Sequence, residues 1–128
     1  MDKKGTHLVS VLVIILSSVI FGGCAAKPVI PMPPQYTSPS VEGAVVTFKI
    51  WAPNAGEVYI VGDFNDWKIS SDYKLSKTPN SIWLISVRIS PGSYKYAFSV
   101  DGQQRMDDAN NDAVGNGAGG RVSVLTIQ

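Results

Sequence analysis

Residues 44–67 read Ala-Val-Val-Thr-Phe-Lys-Ile-Trp-Ala-Pro-Asn-Ala-Gly-Glu-Val-Tyr-Ile-Val-Gly-Asp-Phe-Asn-Asp-Trp, and this stretch decides the fold. Val46, Phe48 and Ile50 alternate with Thr47, Lys49 and Trp51, a period of two that sends one face into a core and the other toward solvent. Pro53-Asn54-Ala55-Gly56 breaks the run with turn chemistry, and the alternation resumes from Glu57 to Phe64. Two strands joined by a turn are predicted.

Toward the C-terminus the same period recurs in Ile82 to Ile89, Ser93 to Val100 and Arg121 to Ile127, with breaks at Pro79-Asn80-Ser81, Pro91-Gly92 and Asp101-Gly102. Asp72 to Lys77 reads as a weaker strand, and no segment carries a convincing helical period. Short strands at near-regular spacing over residues 41–128 predict an all-β domain, an antiparallel β-sandwich. Within it, Trp83 shares a face with Ile85, Val87 and Ile89, and Tyr94, Tyr96, Phe98 and Val100 keep the period, so these are core positions.

Toward the N-terminus the composition changes. Pro28, Pro31, Pro33, Pro34 and Pro39, five of the eight prolines, fall between Ala25 and Ser40. Proline lacks a backbone donor and favours extended polyproline II, so residues 24–40 are expected to form a semi-rigid tether. Ahead of it, Leu8 to Phe21 is apolar except for Ser10, Ser17 and Ser18, with Lys3-Lys4 before it and Gly22-Gly23-Cys24 after it. That order of charged, apolar and small residues is the order of a secretory signal, and 14 residues are fewer than the roughly 20 a membrane-spanning helix needs.

Single letters exclude whole classes of chemistry. Lys+Arg number 11 and Asp+Glu number 10 in the 128-residue chain, and losing Asp2, Lys3 and Lys4 with the signal leaves nine of each. Neither balance favours nucleic acid or a strongly acidic or basic partner. The one histidine, His7, lies inside the signal, which leaves the domain no imidazole for a Ser-His-Asp triad or a His-containing zinc site. Cys24 has no partner for an intrachain disulfide. A glycosidase needs two carboxylates flanking a cleft, whereas those of the domain sit mainly in turns, at Asp63, Asp66, Asp101, Asp107, Asp108 and Asp112.

Two further stretches invite functional readings. Asp108, Asn110 and Asp112 have alternate oxygen donors, but Ala113 and Gly119 occupy the positions where a calcium loop requires glycine and glutamate. Turn formation explains them, and no metal or cofactor is expected. Gly115-Asn116-Gly117-Ala118-Gly119-Gly120 lacks the Gly-Lys-Ser/Thr ending of a phosphate loop and reads as a flexible connection.

The residues also carry two resemblances. Ile20-Phe21-Gly22-Gly23-Cys24 resembles a bacterial lipoprotein signal, although Phe21 stands where leucine is commonest. The resemblance implies cleavage after Gly23, acylation of Cys24 and an envelope location, the outer membrane in a Gram-negative cell. Within the domain, Trp51-Ala52-Pro53, Gly62-Asp63-Phe64-Asn65-Asp66-Trp67, Pro91-Gly92-Ser93-Tyr94-Lys95-Tyr96 and Val100-Asp101-Gly102 together resemble the glycogen-binding domain family. That family includes the β subunit of AMP-activated protein kinase and the early-set domains of branching and debranching enzymes.

This second resemblance implies an immunoglobulin-like early-set sandwich that binds α-glucans without cleaving them. By position in the Gly-Asp-Phe-Asn-Asp-Trp motif, Trp67 matches the family's first sugar platform. Ala97, Gln104 and Val122 stand where the family has a contacting lysine, a second platform tryptophan and a contacting asparagine. The expected activity is therefore weak binding of an α-glucan or related polysaccharide by a lipid-anchored, non-catalytic module. The alternative is an adaptor that has lost sugar binding and docks an envelope protein.

Overall fold

The structure, a computed structural model, describes residues 32–128. The signal over residues 1–23, the acylation site at Cys24 and the tether as far as Pro31 lie outside the described residues. Nine strands form among the described residues: β1 (Ser40–Glu42), β2 (Val45–Trp51), β3 (Val58–Gly62), β4 (Ser76–Lys77), β5 (Ile82–Arg88), β6 (Gly92–Val100), β7 (Gln103–Arg105), β8 (Ala113–Gly115) and β9 (Arg121–Ile127). They make two antiparallel sheets, one in the order β1-β2-β5-β4 and the other β3-β6-β9-β8, with β7 added to β6.

Alternation places the core between the sheets. In β2, Val46, Phe48 and Ile50 are buried and the residues between them are partly exposed. Opposite them in β5 stand Val87, Ile85 and Trp83, on the same face. The second sheet contributes Val58 and Ile60 from β3, Tyr96 and Phe98 from β6, and Leu125 and Ile127 from β9. Phe48 meets Tyr96 across the layers with ring centroids 4.9 Å apart. Buried Trp83 settles its one polar atom by donating Nε1–H to the Ala52 carbonyl at 2.9 Å. Thus the early-set, immunoglobulin-like sandwich expected from the sequence is the fold.

Asp72 to Lys77 departs from its reading as one strand. Ser71–Tyr73 is a single 3-10 turn, Lys74 bridges to Tyr59 of the second sheet, and Ser76–Lys77 pairs with β5 of the first. A segment that changes sheets within three residues cannot keep one strand register. β1, β7 and β8 went unpredicted because three residues carry too little alternation to read. The Gly115–Gly120 connection is an ordered turn: Asn116 N donates to Gly120 O, and Asn116 Oδ1 accepts from Ala118 N and Gly120 N.

The fold also begins earlier than the proline pattern suggests. β1 covers only Val45 to Thr47 of its neighbour, so the rest of that edge of β2 needs other acceptors. Side chains supply them: Lys49 N donates to Ser38 Oγ at 3.0 Å and Trp51 N donates to Tyr36 Oη at 3.1 Å. Ser38 in turn donates to Asp107 Oδ2 at 2.6 Å. The last residues of the expected tether are therefore part of the domain, held by side chains that a proline count does not register.

Asp107 itself has no exposed surface. Its Oδ2 accepts from Ser38 Oγ and Tyr96 Oη, its Oδ1 accepts from Ala109 N, and its own N–H donates to Ser123 Oγ. Burial pushes its carboxyl above the usual range, and the bonds from Ser38, Tyr96 and Ala109 N pull it back. The same burial raises the Tyr96 phenol. With Asp112 N donating to Asn110 Oδ1, residues 107–112 form the side-chain-to-backbone turns expected of Asp and Asn.

Candidate functional site

A second apolar cluster lies on the other side of the five-stranded sheet. Since Ile60, Tyr96 and Phe98 face the core, their neighbours Val61 and Ala97 face outward, as does Val122 beside inward Ser123 and Leu125. Outward apolar residues on a sheet are normally wet, yet Val61, Ala97 and Val122 are buried. Trp67 packs against them and remains partly exposed itself. One part of the indole therefore rests on the sheet and the rest meets solvent.

The Gly62–Trp67 segment is built to hold that ring. After β3, Asp63–Asn65 forms a 3-10 turn. Asn65 closes it from both sides, accepting from Gly62 N at 2.9 Å and donating Nδ2–H to Ile60 O at 3.1 Å. Asp66 and Trp67 both take the left-handed conformation, with φ of 57° each, which costs roughly 1–2 kcal/mol per non-glycine residue. Trp67 N returns to Gly62 O at 3.0 Å. The strained pair folds the chain back over the sheet it has just left.

Gly62 is dictated by space and not by conformation, because its φ of −178° is ordinary extended backbone. A Cβ there would lie 2.6 Å from Lys95 O and 2.9 Å from Tyr96 Cβ. Asp63 completes the frame. Its Oδ1 accepts from Trp67 Nε1 at 3.0 Å and its Oδ2 from Lys95 N at 2.8 Å, tying the indole to β6. Both carboxylate oxygens are thus engaged in holding the platform.

Asp63, Trp67, Lys95, Gln104, Asn116 and Val122 line one open groove of about 340 Å³. The structure brings Trp67 together with the three positions singled out with it: Ala97 and Val122 form the floor beneath the ring, and Gln104 stands at the rim. Gln104 reaches the groove because β7 pairs with β6, Gln104 opposite Ser99 and so on the face of Ala97 and Lys95. Sequence reading missed Lys95 and Asn116. Lys95 lies two residues before Ala97, a spacing that puts both on one face, whereas Asn116 arrives through a hairpin turn with no sequence signal of its own.

Trp51 faces outward, as its alternation predicts, and borders a separate depression with Pro33, Pro34, Tyr36, Arg105 and Asp108. There Arg105 and Asp108 pair at 3.4 Å, and both partners are exposed, so the pair contributes little.

Residues 35–114 match carbohydrate-binding module 48, the isoamylase N-terminal domain. Among similar proteins, a 1,4-alpha-glucan branching enzyme GlgB of Lactobacillus acidophilus is 40% identical over 68 residues, 51% of this chain and 10% of the enzyme. That of Fusobacterium nucleatum is 46% identical over 62 residues, 46% of this chain and 10% of its own. Protein PTST homolog 2, chloroplastic, of Arabidopsis thaliana is 36% identical over 58 residues, 45% of this chain and 10% of its own. The chain spans about a tenth of the length of these relatives.

Proposed function

The chain belongs to the carbohydrate-binding module 48 family, and from that premise we propose that it is a non-catalytic module that binds an α-glucan at the groove over β3, β6 and β9. The observation that carries this reading is the support of Trp67. A partly exposed indole is held by Asp63 and by the left-handed backbone of Asp66 and Trp67 over a buried apolar floor. Sugars offer an apolar C–H face ringed by hydroxyls, and a fixed aromatic plane with a few polar groups beside it is the surface that matches them. Backbone strain of this kind clusters at binding sites, and here it holds a ring that covers the apolar floor and still meets solvent.

The groove is shallow and has one aromatic plane, so affinity in the high micromolar to millimolar range follows, roughly −4 to −6 kcal/mol. At the other end of the chain, the signal pattern and Cys24 support export and acylation, which would present the module at the cell envelope. Retardation of the protein in native gels containing glycogen, amylose or pullulan tests the binding. Trp67→Ala should remove the retardation, with a loss of about 1–3 kcal/mol. No retardation of the wild-type protein in any of these glucans refutes the proposal.

A further inference from the structure

We infer that Lys95 and Asn116 are the specificity-determining donors of the groove, and that they select a neutral, hydroxyl-rich glucan over an anionic polysaccharide. This rests on the glucan reading of Trp67. An aromatic plane gives contact without orientation, so direction and selectivity must come from polar atoms that the protein itself has not used.

Asp63 offers no donor, since a carboxylate only accepts, and each of its oxygens already accepts one bond within the frame. Asn116 spends its Oδ1 on Ala118 N and Gly120 N, and its Nδ2 makes no hydrogen bond among the described residues. Lys95 bonds to Asp63 through its backbone N–H, and its ammonium has no carboxylate within salt-bridge distance among the described residues. Lys95 and Asn116 therefore bring unspent donors to the groove beside Trp67, one from β6 and one from the β8–β9 turn, and the exposed Gln104 of β7 brings a third, an amide with no hydrogen bond among the described residues.

Donors of this kind call for acceptors on the ligand. Hydroxyl and ring oxygens supply them, and so would a carboxylate or phosphate. Charge decides between these. The fixed Asp63 carboxylate lines the same groove as Lys95, so the formal charges of the two cancel and no net positive field remains to repay the desolvation of an anion. A neutral polyol accepts the same hydrogen bonds without that cost. Hydrogen bonds from the ammonium are the stronger of the two sets, because their donor is ionised.

The test measures binding of maltoheptaose and of polygalacturonate to the wild type and to Lys95→Met, Asn116→Asp and Trp67→Ala, by calorimetry or by chemical shift titration. Lys95→Met leaves the backbone bond to Asp63 in place, and Asn116→Asp keeps the acceptor that closes the turn, so melting temperatures should stay near the wild-type value. Maltoheptaose affinity should fall about tenfold in Lys95→Met and several-fold in Asn116→Asp, with no dependence on salt in the wild type. Polygalacturonate should not compete. If Trp67→Ala abolishes binding while the other two variants stay within twofold of wild type, the donor assignment is overturned and the glucan reading survives. If the wild type prefers polygalacturonate in a salt-dependent manner, the neutral-ligand assignment is overturned. If maltoheptaose binds and Trp67→Ala leaves it unchanged, the groove is not the site and both readings fall.

Discussion

Ser38→Ala is the substitution whose effect the structure sets most narrowly. Ser38 is buried, donates to the buried Asp107 at 2.6 Å and accepts from Lys49 N at 3.0 Å. The substitution keeps the Cβ and removes one oxygen, so the cavity is small and the cost is electrostatic. A hydrogen bond to a charged group contributes about 1.5–3 kcal/mol and a neutral one about 0.5–1.5 kcal/mol. Because Tyr96 Oη still donates to the same carboxylate oxygen at 2.8 Å, the expected loss is about 2–4 kcal/mol, out of a total stability of roughly 5–15 kcal/mol for a small domain.

The cost should also depend on pH, with a definite sign. Burial holds the Asp107 carboxyl above 3.8 in the fold, and the Ser38 bond lowers it. A carboxyl raised by folding contributes stability that is fullest below its unfolded pKa and is lost as pH rises through its folded pKa. Ser38→Ala raises the folded pKa further, so more is lost on the way to neutrality. Urea unfolding at pH 4 and pH 7 should therefore show a smaller penalty at pH 4, and in an Asp107→Asn background that difference should vanish. A penalty equal at both pH values, or larger at pH 4, refutes the assignment of a charge-assisted bond.

Three further outcomes follow from the packing and the proposed acylation. Gly62→Ala should destabilise by about 1–3 kcal/mol, because the new Cβ meets the backbone of β6 at Lys95 O, which cannot rotate away; an unchanged melting temperature would contradict the close approach. Removing residues 121–128 should abolish cooperative unfolding, since β9 pairs with both β6 and β8 and supplies Leu125 and Ile127 to the core. Cys24→Ala should abolish acyl labelling and leave unprocessed precursor, and mass spectrometry showing an unmodified Cys24 on a mature protein would refute lipidation.

How far the sequence could be read depended on the length of each element. Seven residues of β2 alternate three times, long enough for the period to exceed chance and for inward Phe48 and Ile50 to be read as core. β7 carries Gln103, Gln104 and Arg105, all exposed, and is a strand only because the Asp101-Gly102 turn folds it onto β6. Both turn residues have positive φ, 49° and 83°, the two-residue hairpin geometry that Asp-Gly favours. The Asp-Gly dipeptide was therefore visible as a break, and the pairing it creates was not. Tyr36 and Ser38 were hidden for a different reason. Prolines flank them, and the bonds that dock them come from side-chain oxygens 11 to 69 residues away from their partners.

The candidate site was legible as a place but not as a set of groups. Positions 67, 97, 104 and 122, picked out by resemblance, do converge in the fold, with the ring of one over the small floor made by two others. Ala97 and Val122 leave that floor apolar, and neither side chain can donate or accept a hydrogen bond. The polar atoms then have to come from the neighbours that the sheet and the turn deliver to the rim. Lys95 shares the strand face of Ala97, and Asn116 is carried in by a turn that closes on Gly120, two residues before Val122 of β9. Chemistry lost from a sequence position can thus be regained at another that faces the same groove, and a reading that compares positions one by one registers only the loss.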